Sequence, residues 1–228
     1  MYQAPLSGIP ADSAAKYQFH IHIQYLMDSA SGLWYHGWEF DGKGSGHNYA
    51  KALWGRGNCW ATLAIPMFLD LVKLPGSDPT RRHLQATLQR QVDGLLPLQD
   101  AETGLWRTLL DDPTSYVETS ATAGFVGGIL MGIRLVSRQG WRRAASAEAQ
   151  GFLNKEKYLE HALDGLKGCI AQVQESGEVA NVSKGTPVSM DKDFYKTIPR
   201  VPVPYGQSLL IVALGEWLRL AEMGVVSK

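Results

Sequence analysis

Apolar positions in this chain recur at three- and four-residue intervals, and strict alternation is scarce, so the pattern predicts helices rather than strands. A helix-like segment ending in QFHIHIQYLMD is followed by a loop and then by a more apolar helix over 58–73. The same order returns with LQRQVDGLLPLQD and an apolar helix over 118–137. A third pair is predicted at 155–174 and 205–222, separated by a long loop. The apolar stretch 124–136 is interrupted by glycines and Arg134 and reads as a buried helix. No run approaches the roughly 18 apolar residues of a membrane-spanning helix.

The turns inside these pairs repeat as well. Ser31-Gly32-Leu33-Trp34 returns as Thr103-Gly104-Leu105-Trp106, 72 residues on, and a weaker copy, Glu175 to Val179, follows about 73 residues later. Self-similarity at a fixed period marks a repeat architecture. The unit is an outer amphipathic helix, a turn and an apolar inner helix. Expected caps are Asp12 for the first helix, a capping box over Ser115 and Glu118, and Asn154 for the third outer helix. Ala121, Gly124, Gly127, Gly128 and Gly132 suit close packing in a central ring.

The expected fold is therefore all-α, an α/α toroid. Residues 1–228 are read as one incomplete α/α-barrel domain, a partial arc of about seven helices. A closed ring of six such hairpins needs upwards of about 300 residues at this period. The chain is thus read as an open arc or the product of a shortened gene. Uncovered inner helices at the ends of an arc favour self-association. Residues 138–150 are expected to form a mobile connection.

Composition narrows the function by exclusion. Lys plus Arg equals Asp plus Glu at 22 each, which gives no basic face for nucleic acid or acidic membranes. The two cysteines, Cys59 and Cys169, are far apart, so neither a disulfide framework nor a cysteine zinc site is expected. The first residues, MYQAPLSGIPAD, lack the basic and apolar regions of a signal peptide. A cytoplasmic location is the expectation, unless a preceding segment carries a leader.

Tryptophan clustering points to a site. Trp34, Trp38, Trp54 and Trp60 fall within 27 residues, in GLWYHGWE (32–39) and WGRGNCW (54–60). The second motif runs into the start of an inner helix, whose free N–H groups and dipole favour anions. Arg56 carries a guanidinium fork suited to a carboxylate. Indole faces can pack on a sugar ring while His36 and Asn58 hydrogen-bond its hydroxyls. Together these residues suggest an acidic sugar as ligand.

This motif pair resembles the matching pair in glycoside hydrolase families 88 and 105, the unsaturated glucuronyl and rhamnogalacturonyl hydrolases. ETGLW, ETSATA, Gly185-Thr186, Tyr195 and Tyr205-Gly206 also fit family 105, so the resemblance runs to about residue 222. It implies a six-hairpin α/α barrel with its site in the central funnel. It further implies a substrate with a 4,5-unsaturated uronic acid at its non-reducing end. An Asp protonates C4, water adds at C5, and the hemiketal opens; no metal or other cofactor is implied. His36 resembles the family's substrate-binding histidine, and Trp54, Arg56 and Trp60 resemble the residues that hold the uronate. Trp38 and Asn58 complete the expected binding set. The family carries Asp where this chain has Glu39. Its acid/base Asp lies just ahead of a segment resembling Met1–Leu6, so no residue of this chain is assigned as the catalytic acid.

Other residues carry structural expectations. Trp106 is read as a turn residue, His20 and His22 as poor metal spacing, Glu118 as a cap, and Asp111-Asp112-Pro113 as a turn. The loop 181–204, with Lys184, Lys192, Lys196 and Arg200, is read as solvated rather than as a funnel rim. Two alternatives accompany the shortened hydrolase. One is a non-catalytic remnant that binds sugar or a partner. The other is a different toroid enzyme such as an epimerase, which should show several funnel histidines that this sequence lacks.

Overall fold

The computed structural model describes residues 11–140 and 153–227. These residues form six α-helices: α1 (Ala11–Leu26), α2 (Gly55–Val72), α3 (Pro79–Leu95), α4 (Thr119–Gly140), α5 (Lys155–Ile170) and α6 (Pro204–Glu222). They make three hairpins, so the described count falls one short of the expected seven. Short antiparallel strand pairs decorate the loops: β1 (Glu39–Phe40) with β2 (Gly46–His47), and β3 (Trp106–Arg107) with β4 (Val117–Glu118). The Met1–Leu6 segment and most of the expected 138–150 connection lie outside the described residues, while α4 runs on to Gly140.

The repeated turn explains how one hairpin joins the next. Asp28 accepts from the Ser31 hydroxyl at 2.6 Å, and the Gly32 N–H returns to the Asp28 carbonyl at 2.8 Å. Asp100, Thr103 and Gly104 repeat the same bonds at 2.7 and 2.8 Å. Gly32 and Gly104 stand at φ 76° and 71°. Each also lies against the next outer helix: a Cβ on Gly32 would sit 2.7 Å from the Arg90 carbonyl, and one on Gly104 2.5 Å from that of Asp164. Only glycine meets both demands. Gly177, in the third turn, has φ 85° but nothing within 4 Å. That turn reaches the end of the described arc.

Among the inner helices, α4 packs against both α2 and α6. Every α4 residue from Thr119 to Leu135 is buried, as expected of the apolar stretch. Its glycines set the approach. A Cβ on Gly128 would lie 2.4 Å from the Thr62 carbonyl of α2, and one on Gly124 2.5 Å from Cys59 Sγ. Farther along, Arg134 of α4 donates to Glu216 of α6 at 2.6 Å and to Asp70 of α2 at 3.1 Å. One buried guanidinium thereby ties all three inner helices. No helix among the described residues is long and apolar enough to cross a membrane.

Two expected caps change. Asp12 falls inside the first turn of α1 rather than ahead of it. Ser115 and Glu118 do not form a capping box. The Ser115 hydroxyl closes its own turn on the Leu109 and Asp112 carbonyls. Glu118, at the end of β4, caps α4 alone by accepting from Ser120 N at 3.1 Å and Ala121 N at 2.6 Å. The β3–β4 hairpin turns Ser115 away from the helix start. Asn154 caps α5 as expected, accepting from Lys157 N at 2.9 Å.

Candidate functional site

The two Trp-rich motifs meet at the start of α2. Asn58 is the rivet: its Oδ1 accepts from Trp34 N at 2.7 Å, and its Nδ2 donates to the Trp34 and Trp54 carbonyls at 2.8 and 2.9 Å. The residue is fully buried. The expectation that Asn58 bonds a sugar hydroxyl is therefore corrected, because its amide is spent on holding backbone.

Arg56 is corrected in part. Its side chain is 4% exposed, and Trp54 and Tyr205 flank its cation, each 4.7 Å away. Its Nη1 donates to the Ser183 carbonyl at 2.6 Å and to the Ser183 hydroxyl. Nη2 donates to the Lys184 carbonyl at 3.0 Å and to Thr186 Oγ1 at 3.2 Å. Glu118 lies 3.9 Å away and accepts from Ser183 N at 2.8 Å. In this arrangement the guanidinium fork grips segment 183–186 instead of standing open for a carboxylate.

His36 also packs on Trp54, with ring centroids 4.1 Å apart. Its Nδ1 lies 2.7 Å from the Tyr195 hydroxyl. Burial, then the nearby Arg56 cation, lowers its pKa to about 4, so the ring is neutral near pH 7. The Tyr195 hydroxyl accepts from Ser189 N at 3.3 Å, and burial raises its pKa. The proton assignment that satisfies both groups has Tyr195 donating to Nδ1. His36 then carries its own hydrogen on Nε2.

A cavity of about 330 Å³ opens beside this cluster, lined by His36, Trp34, Tyr35, Gly57 and Trp60 together with Gln18, Phe19, His22 and Leu26 of α1. Trp60 is 47% exposed there, an unusual position for so large an apolar ring. The indole N–H groups of Trp34 and Trp54 are buried without a partner among the described residues.

The remaining expectations divide. Trp38 directly precedes the β1–β2 hairpin, on which Glu39 pairs with His47 at 3.5 Å. Trp106 is fully buried and donates to the Leu95 carbonyl at 2.8 Å, a structural role. His20 stacks on His83 with 5.5 Å between centroids, between helices α1 and α3. Among the described residues no cluster of three metal-binding side chains occurs. Both cysteines are free and buried. The loop 181–204 is more than solvated chain. Lys192 pairs with Asp111 and Lys196 with Asp112, and these ties frame the fully buried Tyr195. Tyr195 and Tyr205 were visible as sequence motifs, yet spacing gave no sign that they hold His36 and Arg56.

Comparison with known proteins identifies the family. The chain is 32% identical over 203 residues to the unsaturated rhamnogalacturonyl hydrolase YesR of Bacillus subtilis, covering 89% of this chain and 51% of that protein. The chain thus spans about half the length of that relative. It is 28% identical to protein Atu3128 of Agrobacterium fabrum, covering 86% of each. A crystal structure of a possible family 105 glycoside hydrolase from Klebsiella pneumoniae is 42% identical, with a TM-score of 0.78 over 91% of this chain and 49% of that one. The profile of Glycosyl Hydrolase Family 88 matches residues 12–221. With that match spanning all three hairpins, the chain belongs to glycosyl hydrolase family 88, and its fold is that of the family's α/α barrel.

Proposed function

We propose that the chain carries the binding half of a site for oligosaccharides ending in a 4,5-unsaturated uronic acid, of the type released by polysaccharide lyases from pectin-like polymers. One observation carries the reading. His36, held by Tyr195 and Trp54, lines a cavity together with the half-exposed ring of Trp60.

Each group has a distinct part. The Trp60 face packs on the apolar side of the sugar ring. His36 Nε2 donates to a ring hydroxyl or to the carboxylate. Arg56 supplies positive charge from beside Trp54 and braces segment 183–186 instead of gripping the carboxylate directly. Hydration of the double bond also needs a proton donor at C4 and a water at C5. The described residues that line the cavity include no carboxylate. In this reading the donor comes from outside the cavity wall, and the chain on its own binds without turning over.

Hydration destroys the ultraviolet absorbance of the double bond, so incubation with an unsaturated rhamnogalacturonan disaccharide tests the catalytic half of the proposal. Constant absorbance is expected. Steady loss of absorbance with the 228-residue chain would show that the proton donor is within it.

A further inference from the structure

The segment just beyond His36 has an unusual surface. Trp38, Phe40 and Tyr25 form a three-ring cluster, with centroids 5.2 Å apart for Tyr25 and Trp38, 5.0 Å for Tyr25 and Phe40, and 6.1 Å for Trp38 and Phe40. Phe40 is 60% exposed on a hairpin only two residues per strand long. The turn of that hairpin is built by Asp41, whose carboxylate accepts from Lys43 N at 2.7 Å and Ser45 N at 3.0 Å. Gly46 leaves room for the Trp38 indole, since a Cβ there would lie 2.8 Å from its Nε1. Phe40 thus stands on a short hairpin with most of its ring in solvent.

The cluster follows the cavity residues closely along the chain. Gly37 is the sole residue between His36 and Trp38. On α1, Gln18 and His22 line the cavity, and Tyr25 follows them on the same helix face at i, i+4 and i+7. Four residues of extended chain span at most about 14 Å, which bounds the distance from His36 to Phe40. Hydrogen-bonding groups flank the rings: Glu39 with His47, and the exposed Lys43. An apolar face edged by charged donors and acceptors matches a sugar ring, which is apolar on one face and ringed by hydroxyls.

Resting on the reading of the His36 cavity as a uronyl site, we propose that Phe40, Trp38 and Tyr25 form a second sugar surface. It receives the saccharide rings that follow the terminal uronyl group. The chain then recognises substrate length as well as the unsaturated end.

Calorimetric titration with two ligands, an unsaturated rhamnogalacturonan disaccharide and the corresponding tetrasaccharide, tests this. The parent chain binds the tetrasaccharide more tightly than the disaccharide. Phe40→Ala weakens tetrasaccharide binding by about fivefold, equivalent to roughly 1 kcal/mol for one aromatic contact. It leaves disaccharide binding within about twofold, and Phe40→Tyr retains the tetrasaccharide affinity. Equal weakening of both ligands by Phe40→Ala, or no gain with length in the parent, overturns the second surface while leaving the uronyl reading intact. A parent chain that binds neither ligand refutes both.

Discussion

The Tyr195 hydroxyl stands 2.7 Å from His36 Nδ1 across 159 residues of sequence. Through that contact the loop after α5 reaches the loop before α2 and fixes the His36 imidazole in the cavity wall. Removing the hydroxyl strands two groups at once, His36 Nδ1 and Ser189 N. Tyr195→Phe is therefore expected to lower unfolding free energy by about 1 kcal/mol, the net worth of a hydrogen bond between part-buried groups. Urea denaturation followed by tryptophan fluorescence measures it. An unchanged midpoint would mean that the contact contributes nothing.

The lowered pKa of His36 gives a pH signature. The unfolded ring takes a proton near its ordinary value of 6.5, whereas the folded ring resists until about 4. The unfolded state thus binds more protons within this window, so stability rises with pH across it. The contribution is complete above about pH 6.5 and is lost as pH falls toward 4. Denaturation at pH 7, 5.5 and 4.5 should show the parent losing more stability than His36→Gln, which cannot titrate. Parallel curves for the two proteins would contradict the burial of a neutral imidazole.

Glu118 joins two distant segments. It accepts from Ala121 N at 2.6 Å and Ser183 N at 2.8 Å, beside the Arg56 cation. Glu118→Ala removes a buried anion from a buried cation and uncaps α4, for an expected loss of about 3–5 kcal/mol. Glu118→Gln is also destabilising, because its amide turns N–H donors toward backbone N–H donors. A Gln variant as stable as the parent would refute this account of the node.

The docking of successive hairpins can be tested with two glycines of like backbone angle. Gly104 (φ 71°) abuts the Asp164 carbonyl, whereas Gly177 (φ 85°) meets nothing within 4 Å. Gly177→Ala carries only the left-handed backbone penalty, about 1–2 kcal/mol. Gly104→Ala adds overpacking, for a total of roughly 3 kcal/mol or more. Thermal melts of the two variants provide the comparison, and equal losses would mean that the turn does not seat on α5.

These residues also show why the fold was more legible than the site. The Gly-Leu-Trp turn repeats because each copy solves the same local problem, a left-handed glycine against the next helix. Its period therefore announced the hairpins. The residues around His36 obey no such period. Asn58 looked like a ligand group because it is polar and sits among tryptophans, but a helix start surrounded by loop backbone needs that amide for itself. Arg56 read as an open fork because sequence does not reveal that Ser183 and Thr186 reach it first. The Glu118 cap was visible, yet its partner was misread, because the hairpin that turns Ser115 away depends on pairing between β3 and β4.

The central claim is that the cavity beside His36 and Trp60 binds an unsaturated uronyl group. Its most direct test is titration of the chain with the unsaturated disaccharide, set against His36→Ala and Trp60→Ala. Saturable binding by the parent is expected, with each variant weakened about tenfold or more, as for the loss of a hydrogen bond to a charged group or of a large aromatic contact. Parent affinity retained in both variants would contradict the claim, since the ligand would then bind elsewhere on the chain.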